Sequence, residues 1–260
     1  MGINFKTAKW LEKNTLEENL SMGVIGRQEL NLSKIEKKKI GLNFFNSSEI
    51  YADNFLKKKL KLSKLISFDK IDYEEPSYIK NFEEDIDHTE KFDIFFDGGS
   101  LHHIFNVPKA LSNINKMTKI GGKILHTAVF NNFQGFGLYQ FSPEIFFSLY
   151  SKKNGFKNTQ VYLATSNNKY WYEIKNLNDG EMYHFNTNGQ IWVYVSTIKE
   201  FEQKKYQIDQ KFYLTKNRNK NKSYNKNLVN IILYLRNILF SIFSNFFMNF
   251  DKKLKKKRIN

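Results

Sequence analysis

Residues 91–99 read KFDIFFDGG, and this stretch decides the class of fold. A short apolar run that is ended by two glycines is typical of a strand buried on both faces of a parallel sheet. A helix is expected over 107–117, with Pro108 suited to its first turn, and then a strand over 123–129 after a turn at 121–122. This order indicates a unit in which a helix connects two parallel strands.

The sequence on both sides of this unit continues the same alternation. Residues 22–26 and 62–68 predict strands, and a helix is expected between them over 47–60. Ser142 is a suitable N-cap for a helix over 143–150. The other expected elements are a helix over 7–20 and strands over 158–164 and 190–197. Together these elements predict an α/β fold, in which helices cover both faces of the sheet.

Several motifs within residues 91–156 resemble the second half of a class I S-adenosylmethionine-dependent methyltransferase. They are the strand 92–97, the run LHHI at 101–104 and the segment KIGGKI at 119–124, which is similar to the family's lysine-proline-glycine-glycine turn. The segment NNFQGFGLYQFSPE at 131–144 further resembles a bacterial subgroup of methyltransferase-like proteins. The resemblance covers residues 20–165 and implies a Rossmann-like methyltransferase sheet.

The resemblance also implies a site for S-adenosyl-L-methionine beyond the carboxyl ends of the strands. In the family, glycines after the first strand let the backbone approach the cofactor, because glycine has no Cβ. This chain has Gly23 and Gly26 there instead of a full glycine-rich motif. Asp69 corresponds to the acidic residue that binds the ribose hydroxyls. The implied cofactor-binding residues are Gly23, Gly26, Asp69, Asn81 at the adenine, and Asp97 and Gly98 on the floor of the site.

Candidate residues for the methyl acceptor follow the fourth and fifth strands. His103 is interpreted as a catalytic general base, because imidazole titrates near neutral pH and can take a proton from a hydroxyl or amine. The alternative is a histidine that only shapes its loop. Asn131, Asn132 and Gln134 are interpreted as substrate-binding, since carboxamides suit hydroxyl-rich ligands, although ordinary turn chemistry also explains them. No metal site is expected, because His102 and His103 are adjacent and no ligand cluster has suitable spacing.

The composition argues against several classes of protein. The absence of cysteine excludes a disulfide scaffold, a thiolate zinc site and a cysteine nucleophile. Neither a phosphate-binding P-loop nor the serine motif of α/β-hydrolases occurs, which disfavours kinase and hydrolase functions. Residues 1–20 contain no apolar run of signal-peptide length, so secretion by that route is not expected.

The positive charge is concentrated towards the end of the chain. Residues 199–260 hold 16 basic and four acidic residues, a net charge of +12 out of the total of +15. A basic surface spread over a folded domain, as nucleic-acid binding would need, is therefore not indicated. Residues 199–227 predict a polar linker. Residues 228–260 predict an amphipathic helix with a basic end that associates with an anionic membrane surface. A membrane-spanning helix and a helix docked on protein are the alternatives.

The sequence therefore predicts a methyltransferase-like domain over 1–198 in a cytoplasmic protein, peripheral on the inner face of the membrane. The expected function is S-adenosylmethionine-dependent methyl transfer to a small polar acceptor, with a surface-glycan or lipid-linked sugar precursor as the candidate. The alternative is a non-catalytic, membrane-tethered binding or scaffold protein with the same fold. Nucleic-acid modification is a third hypothesis, although nucleic acid is not the expected partner.

Overall fold

A mixed β-sheet forms the centre of the computed structural model. The residues that the structure describes are 2–42, 50–165, 170–185, 187, 189–203, 205–214, 235 and 254–258. Their strands are β1 Gly2–Ile3, β2 Ser21–Ile25, β3 Glu29–Leu30, β4 Lys64–Asp69, β5 Tyr78–Ile79, β6 Phe92–Asp97, β7 Thr118–Asn131, β8 Phe156–Thr165, β9 Tyr170–Ile174, β10 Ile191–Lys199 and β11 Leu254–Arg258.

Helices connect these strands. The α-helices are α1 Phe5–Asn14, α2 Lys34–Lys39, α3 Val107–Lys116 and α4 Pro143–Leu149. Residues Phe55–Lys59 form a π-helical turn, and Leu101–His103, Lys152–Asn154 and Lys211–Tyr213 form short 3-10 turns. The helix predicted over 107–117 begins as expected, with Pro108 in its first turn and the Asn106 side chain accepting a hydrogen bond from the Lys109 N–H.

The order of strands across the main sheet is β11-β9-β8-β10-β7-β6-β2-β4-β5, and β1 and β3 form a separate parallel pair. Strands β5, β4, β2, β6 and β7 run parallel to one another. Strand β10 runs antiparallel between β7 and β8. Because β2, β4 and β6 are parallel neighbours, their carboxyl ends lie together at one edge of the sheet. The predicted α/β fold is confirmed.

Two hydrophobic cores cover opposite faces of this sheet. Phe95 and Phe96 are adjacent in β6 and fully buried, and they belong to different cores because successive strand residues face opposite ways. Helices α3 and α4 contribute to the core around Phe95. Helix α1 and the π-helical turn contribute to the core around Phe96. The prediction of helices on both faces is therefore confirmed.

The first helix is shorter than its apolar spacing predicts. Helix α1 ends at Asn14, whereas the expected helix extends to residue 20. Leu16 is 82% exposed, and Asn19 has a φ of 62°, which a helix does not allow. The leucine spacing therefore does not mark a buried helix face beyond Asn14.

The glycines at 121–122 form a bulge instead of the predicted turn. Strand β7 is continuous from Thr118, and its pairing with β6 passes from Thr118 opposite Phe92 to Lys123 opposite Ile94. The intervening residues have no partner in β6, as in a β-bulge, and Gly121 adopts a φ of +82°. A glycine pair therefore bends this strand without ending it.

Two other segments differ from the expectation. The helix predicted over 47–60 lies partly outside the described residues, and its described end forms the π-helical turn. Strand β9 has no counterpart in the prediction, and it pairs antiparallel with β8 to extend the sheet.

The predicted linker contacts the domain in its described part. Within 205–214, the Asp209 N–H donates to Ser148 Oγ at 2.7 Å and the Lys211 N–H donates to Glu144 Oε1 at 2.6 Å. Apart from Leu235, residues 215–253 lie outside the described residues, and the predicted amphipathic helix falls largely there. Strand β11 pairs antiparallel with β9. In the described part of the chain, no helix has the length and apolar character needed to cross a bilayer.

Candidate functional site

A cleft of about 410 Å³ opens where β2, β4 and β6 end. Its walls come from the loops that follow these strands, which is where α/β sheets bind their ligands. Gly26, Asp69 and Asn81, three of the predicted cofactor-binding residues, line the cleft, and His103 lines it too. The sheet therefore brings together four of the predicted site residues.

Gly26 gives the cleft its open inner wall. It has a φ of +72°, and its N–H donates to the Phe68 carbonyl at 2.7 Å, which ties the loop to the end of β4. A Cβ at this position would lie 3.2 Å from Ser100 Oγ and 3.8 Å from Asp69 Oδ2. Three segments that are distant in sequence therefore converge around Gly26, and a side chain there would fill the space between them.

Asp69 presents a carboxylate with spare hydrogen-bonding capacity to the cleft. Among the described residues, it accepts one side-chain hydrogen bond, from the Ile71 N–H at 3.3 Å. Because an ionised carboxylate can accept several hydrogen bonds, two ribose hydroxyls could donate to it. The Asn81 side chain is engaged locally: it donates to Glu84 Oε1 at 2.7 Å and accepts from the Glu83 N–H at 3.1 Å.

Arg27 closes the outer side of the cleft, a role that the sequence analysis does not assign. Its Nη2 lies 2.7 Å from Asp53 Oδ2, its Nη1 donates to the Glu74 carbonyl at 3.2 Å, and its guanidinium lies 4.1 Å from the centre of the Tyr51 ring. The Glu74 carboxyl also lines the cleft. Its pKa is raised by burial, and the nearby Asp69 carboxylate raises it further.

Asp97 has a different environment from the one predicted for it. It is fully buried below the cleft, and its Oδ1 accepts hydrogen bonds from the Gly99, Ser100 and Leu101 N–H groups at 3.2, 2.7 and 3.3 Å. Its Oδ2 lies 3.0 Å from His126 Nδ1. These partners occupy the carboxylate, so Asp97 shapes the loop after β6 and does not border the cleft.

The hydrogen-bond chain continues from Asp97 to helix α4. His126 is fully buried in β7, and its Nε2 lies 2.5 Å from the Tyr150 hydroxyl. Burial raises the pKa of Tyr150 well above its ordinary value, so the phenol keeps its proton. The two ring nitrogens of His126 thus link Asp97 to the Tyr150 hydroxyl through the interior. The sequence does not predict this series of hydrogen bonds, because no local pattern pairs a histidine within a strand with a distant tyrosine.

Two other residues predicted to bind the cofactor also lie outside the lining of the cleft: Gly23, assigned to the glycine motif, and Gly98, assigned to the floor. Gly23 is inside β2, where a Cβ would meet the Phe92 and Phe95 rings at 2.7 and 2.9 Å. Its lack of a side chain therefore serves core packing. Gly98 is covered by the side chain of Gln28, since a Cβ on Gly98 would lie 2.2 Å from Gln28 Oε1.

The adjacent histidines of the 3-10 turn have different surroundings. His102 is fully buried, and neither ring nitrogen has a hydrogen-bond partner among the described residues. Burial, with a smaller contribution from His103, lowers the pKa of His102 from 6.5 to about 4. His103 is exposed at the cleft, and partial desolvation lowers its pKa too. Both rings are therefore neutral at pH 7, and only His103 can reach a ligand.

Acidification is expected to destabilise the fold through His102. Because its pKa is lowered on folding, the unfolded state binds the proton more tightly between pH 6.5 and about 4, so stability falls as the pH falls through this window. The loss attributable to His102 is about 2 kcal/mol at pH 5. Urea unfolding at pH 7 and pH 5 measures it, and the difference should shrink by this amount in His102→Phe. Equal acid losses in both proteins would contradict the assignment.

The predicted substrate carboxamides support a neighbouring loop. Asn131 Nδ2 donates to Thr187 Oγ1 at 2.8 Å, and Asn132 Nδ2 donates to the Thr187 and Gly189 carbonyls at 2.8 Å each. Gln134 is exposed, and its segment follows Asn132, which has a φ of 61°. None of the three lines the cleft. The contacts of Asn131 and Asn132 are therefore with this loop and not with the cleft.

The described residues contain no group of three or more histidine, aspartate and glutamate side chains that could hold a metal ion. The polar groups of the cleft are instead separate carboxylates and amides on different loops. The oxygen atoms of these groups can accept hydrogen bonds, so they suit a polar organic ligand with hydroxyl and N–H groups.

Comparison with known proteins shows similarity to solved methyltransferase structures at low sequence identity. No family model matches the sequence. No curated protein matches it either. The phosphoethanolamine N-methyltransferase 2 of Haemonchus contortus, in complex with phosphomonomethylethanolamine and S-adenosylhomocysteine, is 14% identical over 74% of this chain and 51% of that chain, with a TM-score of 0.45. This chain thus spans about half the length of that methyltransferase.

Two further structures cover more of their own chains. The 1,6-didemethyltoxoflavin-N1-methyltransferase of Burkholderia thailandensis, with its substrate and S-adenosylhomocysteine bound, is 12% identical over 75% of this chain and 77% of that chain, with a TM-score of 0.42. The N-methyltransferase NodS of Bradyrhizobium japonicum is 10% identical over 75% of this chain and 94% of that chain, also with a TM-score of 0.42. The fold of this chain follows from its own strand order: the parallel strands β5-β4-β2-β6-β7 have the order of a Rossmann-like sheet.

Proposed function

We propose that this chain binds S-adenosyl-L-methionine in the cleft and transfers its methyl group to a small polar acceptor. The observation that carries the proposal is the convergence of Gly26, Asp69 and Ser100 at the carboxyl ends of three parallel strands. A glycine with positive φ leaves space for a ligand, and the neighbouring carboxylate can accept further hydrogen bonds. Together they suit a nucleoside with free ribose hydroxyls. The cofactor, when bound, supplies an electrophilic methyl group.

Asp69 would bind the ribose, because its carboxylate lies at the end of β4 and faces the cleft with acceptor capacity to spare. Gly26 would let the backbone approach the cofactor. Since the Asn81 side chain is engaged with Glu83 and Glu84, the segment around it would contact the adenine mainly through its backbone and shape. Gly23, Asp97 and Gly98 would support the site from below.

His103 would serve the acceptor. Methyl transfer needs mainly proximity and alignment, and a base is required only where the acceptor loses a proton. The His103 ring is exposed at the cleft, and its lowered pKa leaves the lone pair available at pH 7. A hydroxyl or ammonium group that approaches from this side could transfer its proton to the imidazole.

The finer proposal concerns the acceptor and the location. The resemblance to the bacterial subgroup and the apolar face predicted over 228–250 support a surface-glycan or lipid-linked sugar precursor, methylated at the inner face of the membrane. The net charge of +12 over 199–260 supports attraction to anionic lipid. Sedimentation of the full chain with anionic but not zwitterionic vesicles, weakened by salt, would agree with this location, and equal sedimentation with both would contradict it.

The alternative, a non-catalytic binding protein with this fold, is favoured by one feature. Gln28 places a bulky side chain in the first loop, where a glycine-rich motif would leave space. A folded protein that binds neither S-adenosylmethionine nor S-adenosylhomocysteine would support that alternative.

Substitution of Asp69 by asparagine is expected to weaken S-adenosylhomocysteine binding by about tenfold or more, because charge-assisted hydrogen bonds to hydroxyls are lost. Calorimetric titration of the full chain measures this effect. Asp72→Asn is the matched control: it makes the same charge change three residues away, outside the lining of the cleft. Equal affinities in the wild type and in Asp69→Asn would remove the assigned role of Asp69.

A further inference from the structure

The side chain of Gln28 fills the base of the cleft. It is 3% exposed, and its Nε2 donates hydrogen bonds to the Ile25 carbonyl at 3.1 Å and to the Gly26 carbonyl at 3.2 Å. These two carbonyls fix the orientation of the carboxamide, because the flipped amide would place oxygen against two other oxygens. Gln28 therefore satisfies the Gly26 carbonyl, and it shares the Ile25 carbonyl with Ser100 Oγ, which donates to it at 2.9 Å.

The opposite side of the carboxamide lies against Gly98, and it is not satisfied. A Cβ on Gly98 would stand 2.2 Å from Gln28 Oε1 and 2.4 Å from its carboxamide carbon, so only glycine leaves room for this placement. Gln28 Oε1 is buried and has no hydrogen-bond partner among the described residues. A buried acceptor without a partner costs about 1–3 kcal/mol. This penalty offsets part of the stabilisation that the two Nε2 hydrogen bonds contribute. Displacement of the side chain therefore costs little free energy.

We propose that Gln28 is a displaceable plug that determines which ligands bind tightly. Its amide N–H groups occupy the place where an ammonium group of a ligand would meet the Ile25 and Gly26 carbonyls. A ligand that carries an ammonium group there must displace Gln28, whereas a nucleoside without one leaves it in place. This inference rests on the proposed function, and it further assigns the amino-acid end of S-adenosylmethionine to the side of the cleft at Gly26.

The test compares two ligands that differ at this end. S-adenosylhomocysteine carries the ammonium group, and methylthioadenosine has the same nucleoside and thioether without it. In calorimetric titrations of the full chain, Gln28→Ala should raise the affinity for S-adenosylhomocysteine by about tenfold, because competition for the two carbonyls is removed. The affinity for methylthioadenosine should change by less than about twofold. Gln160→Ala, an exposed substitution on β8, should change neither affinity.

Several outcomes would overturn the plug. An equal gain for both ligands would mean a general widening of the cleft, and a loss of S-adenosylhomocysteine affinity would make Gln28 a ligand contact. If Gln28→Ala bound both ligands with the affinities of the wild type, the plug would be overturned and the proposed function would stand. Absence of binding of either ligand to every folded variant would overturn both the plug and the proposed function. Gln28→Ser, checked by urea unfolding, repeats the test if the alanine variant does not fold.

Discussion

Substitution of Gly26 by valine is expected to reduce S-adenosylhomocysteine binding by about 100-fold or more, which corresponds to nearly 3 kcal/mol. At a φ of +72°, a β-branched side chain strains the loop. The new Cβ would also stand 3.2 Å from Ser100 Oγ, which cannot move freely because it donates to the Ile25 carbonyl at 2.9 Å. The remaining side-chain atoms would project between Ser100 and Asp69. Calorimetric titration of the full chain measures the loss.

Gly121→Val is the matched control for this prediction. Gly121 has a similar φ of +82°, but a Cβ there meets no heavy atom within 4 Å, and the residue lies in the bulge of β7 away from the cleft. The control therefore shares the backbone strain without the crowding. Loss of binding in both variants would point to general destabilisation, and retained binding in Gly26→Val would contradict the placement of the ligand.

Removal of the Asp97 side chain is expected to cause the largest loss of stability. Asp97→Ala should lower the free energy of unfolding by about 3–5 kcal/mol, the range typical of breaking a buried charged network. Three buried backbone N–H groups lose their acceptor at once, and His126 Nδ1 loses its partner. Urea unfolding at pH 7 measures the change.

Two comparisons separate the network from a general effect of losing a carboxylate. Asp85→Ala removes an exposed carboxylate that pairs with Lys109 and Lys116, and it should lower the free energy of unfolding far less than Asp97→Ala, because solvent screens exposed ion pairs. Tyr150→Phe removes only the hydrogen bond between the Tyr150 hydroxyl and His126, and it should lower the free energy of unfolding by about 1–2 kcal/mol. If Asp97→Ala lowered the free energy of unfolding no more than Asp85→Ala, the buried hydrogen bonds of Asp97 would not stabilise the fold.

The central strands and the helix between them could be predicted from the sequence because their signals are local. The apolar run over 92–97 is ended by glycines, and Pro108 marks the first turn of α3. Strand β9 gave no comparable signal, since it is stabilised by pairing with β8 and not by its own pattern. The bulge at Gly121 shows that a glycine pair alone does not distinguish a turn from a bend within a strand.

The candidate site was predictable where a residue's role follows from its position at the end of a strand. Gly26 and Asp69 follow β2 and β4 closely and line the cleft. Asp97 occupies the equivalent position after β6, but its carboxylate is turned to three N–H groups and His126, which only the folded structure reveals. Asn131 and Asn132 likewise follow the edge of the sheet and bind the loop at Thr187 and Gly189.

The position of β10 has a consequence for how the chain folds. β7 and β8 precede β10 in the chain, yet β10 lies between them, so neither can complete its pairing until residues 191–199 arrive. Until then the chain carries two open strand edges, and open edges are the usual starting points of aggregation. The insertion of β10 closes both edges in one long-range step, and such steps are slow. The yield of soluble protein on refolding therefore depends on how quickly β10 pairs with β7 and β8.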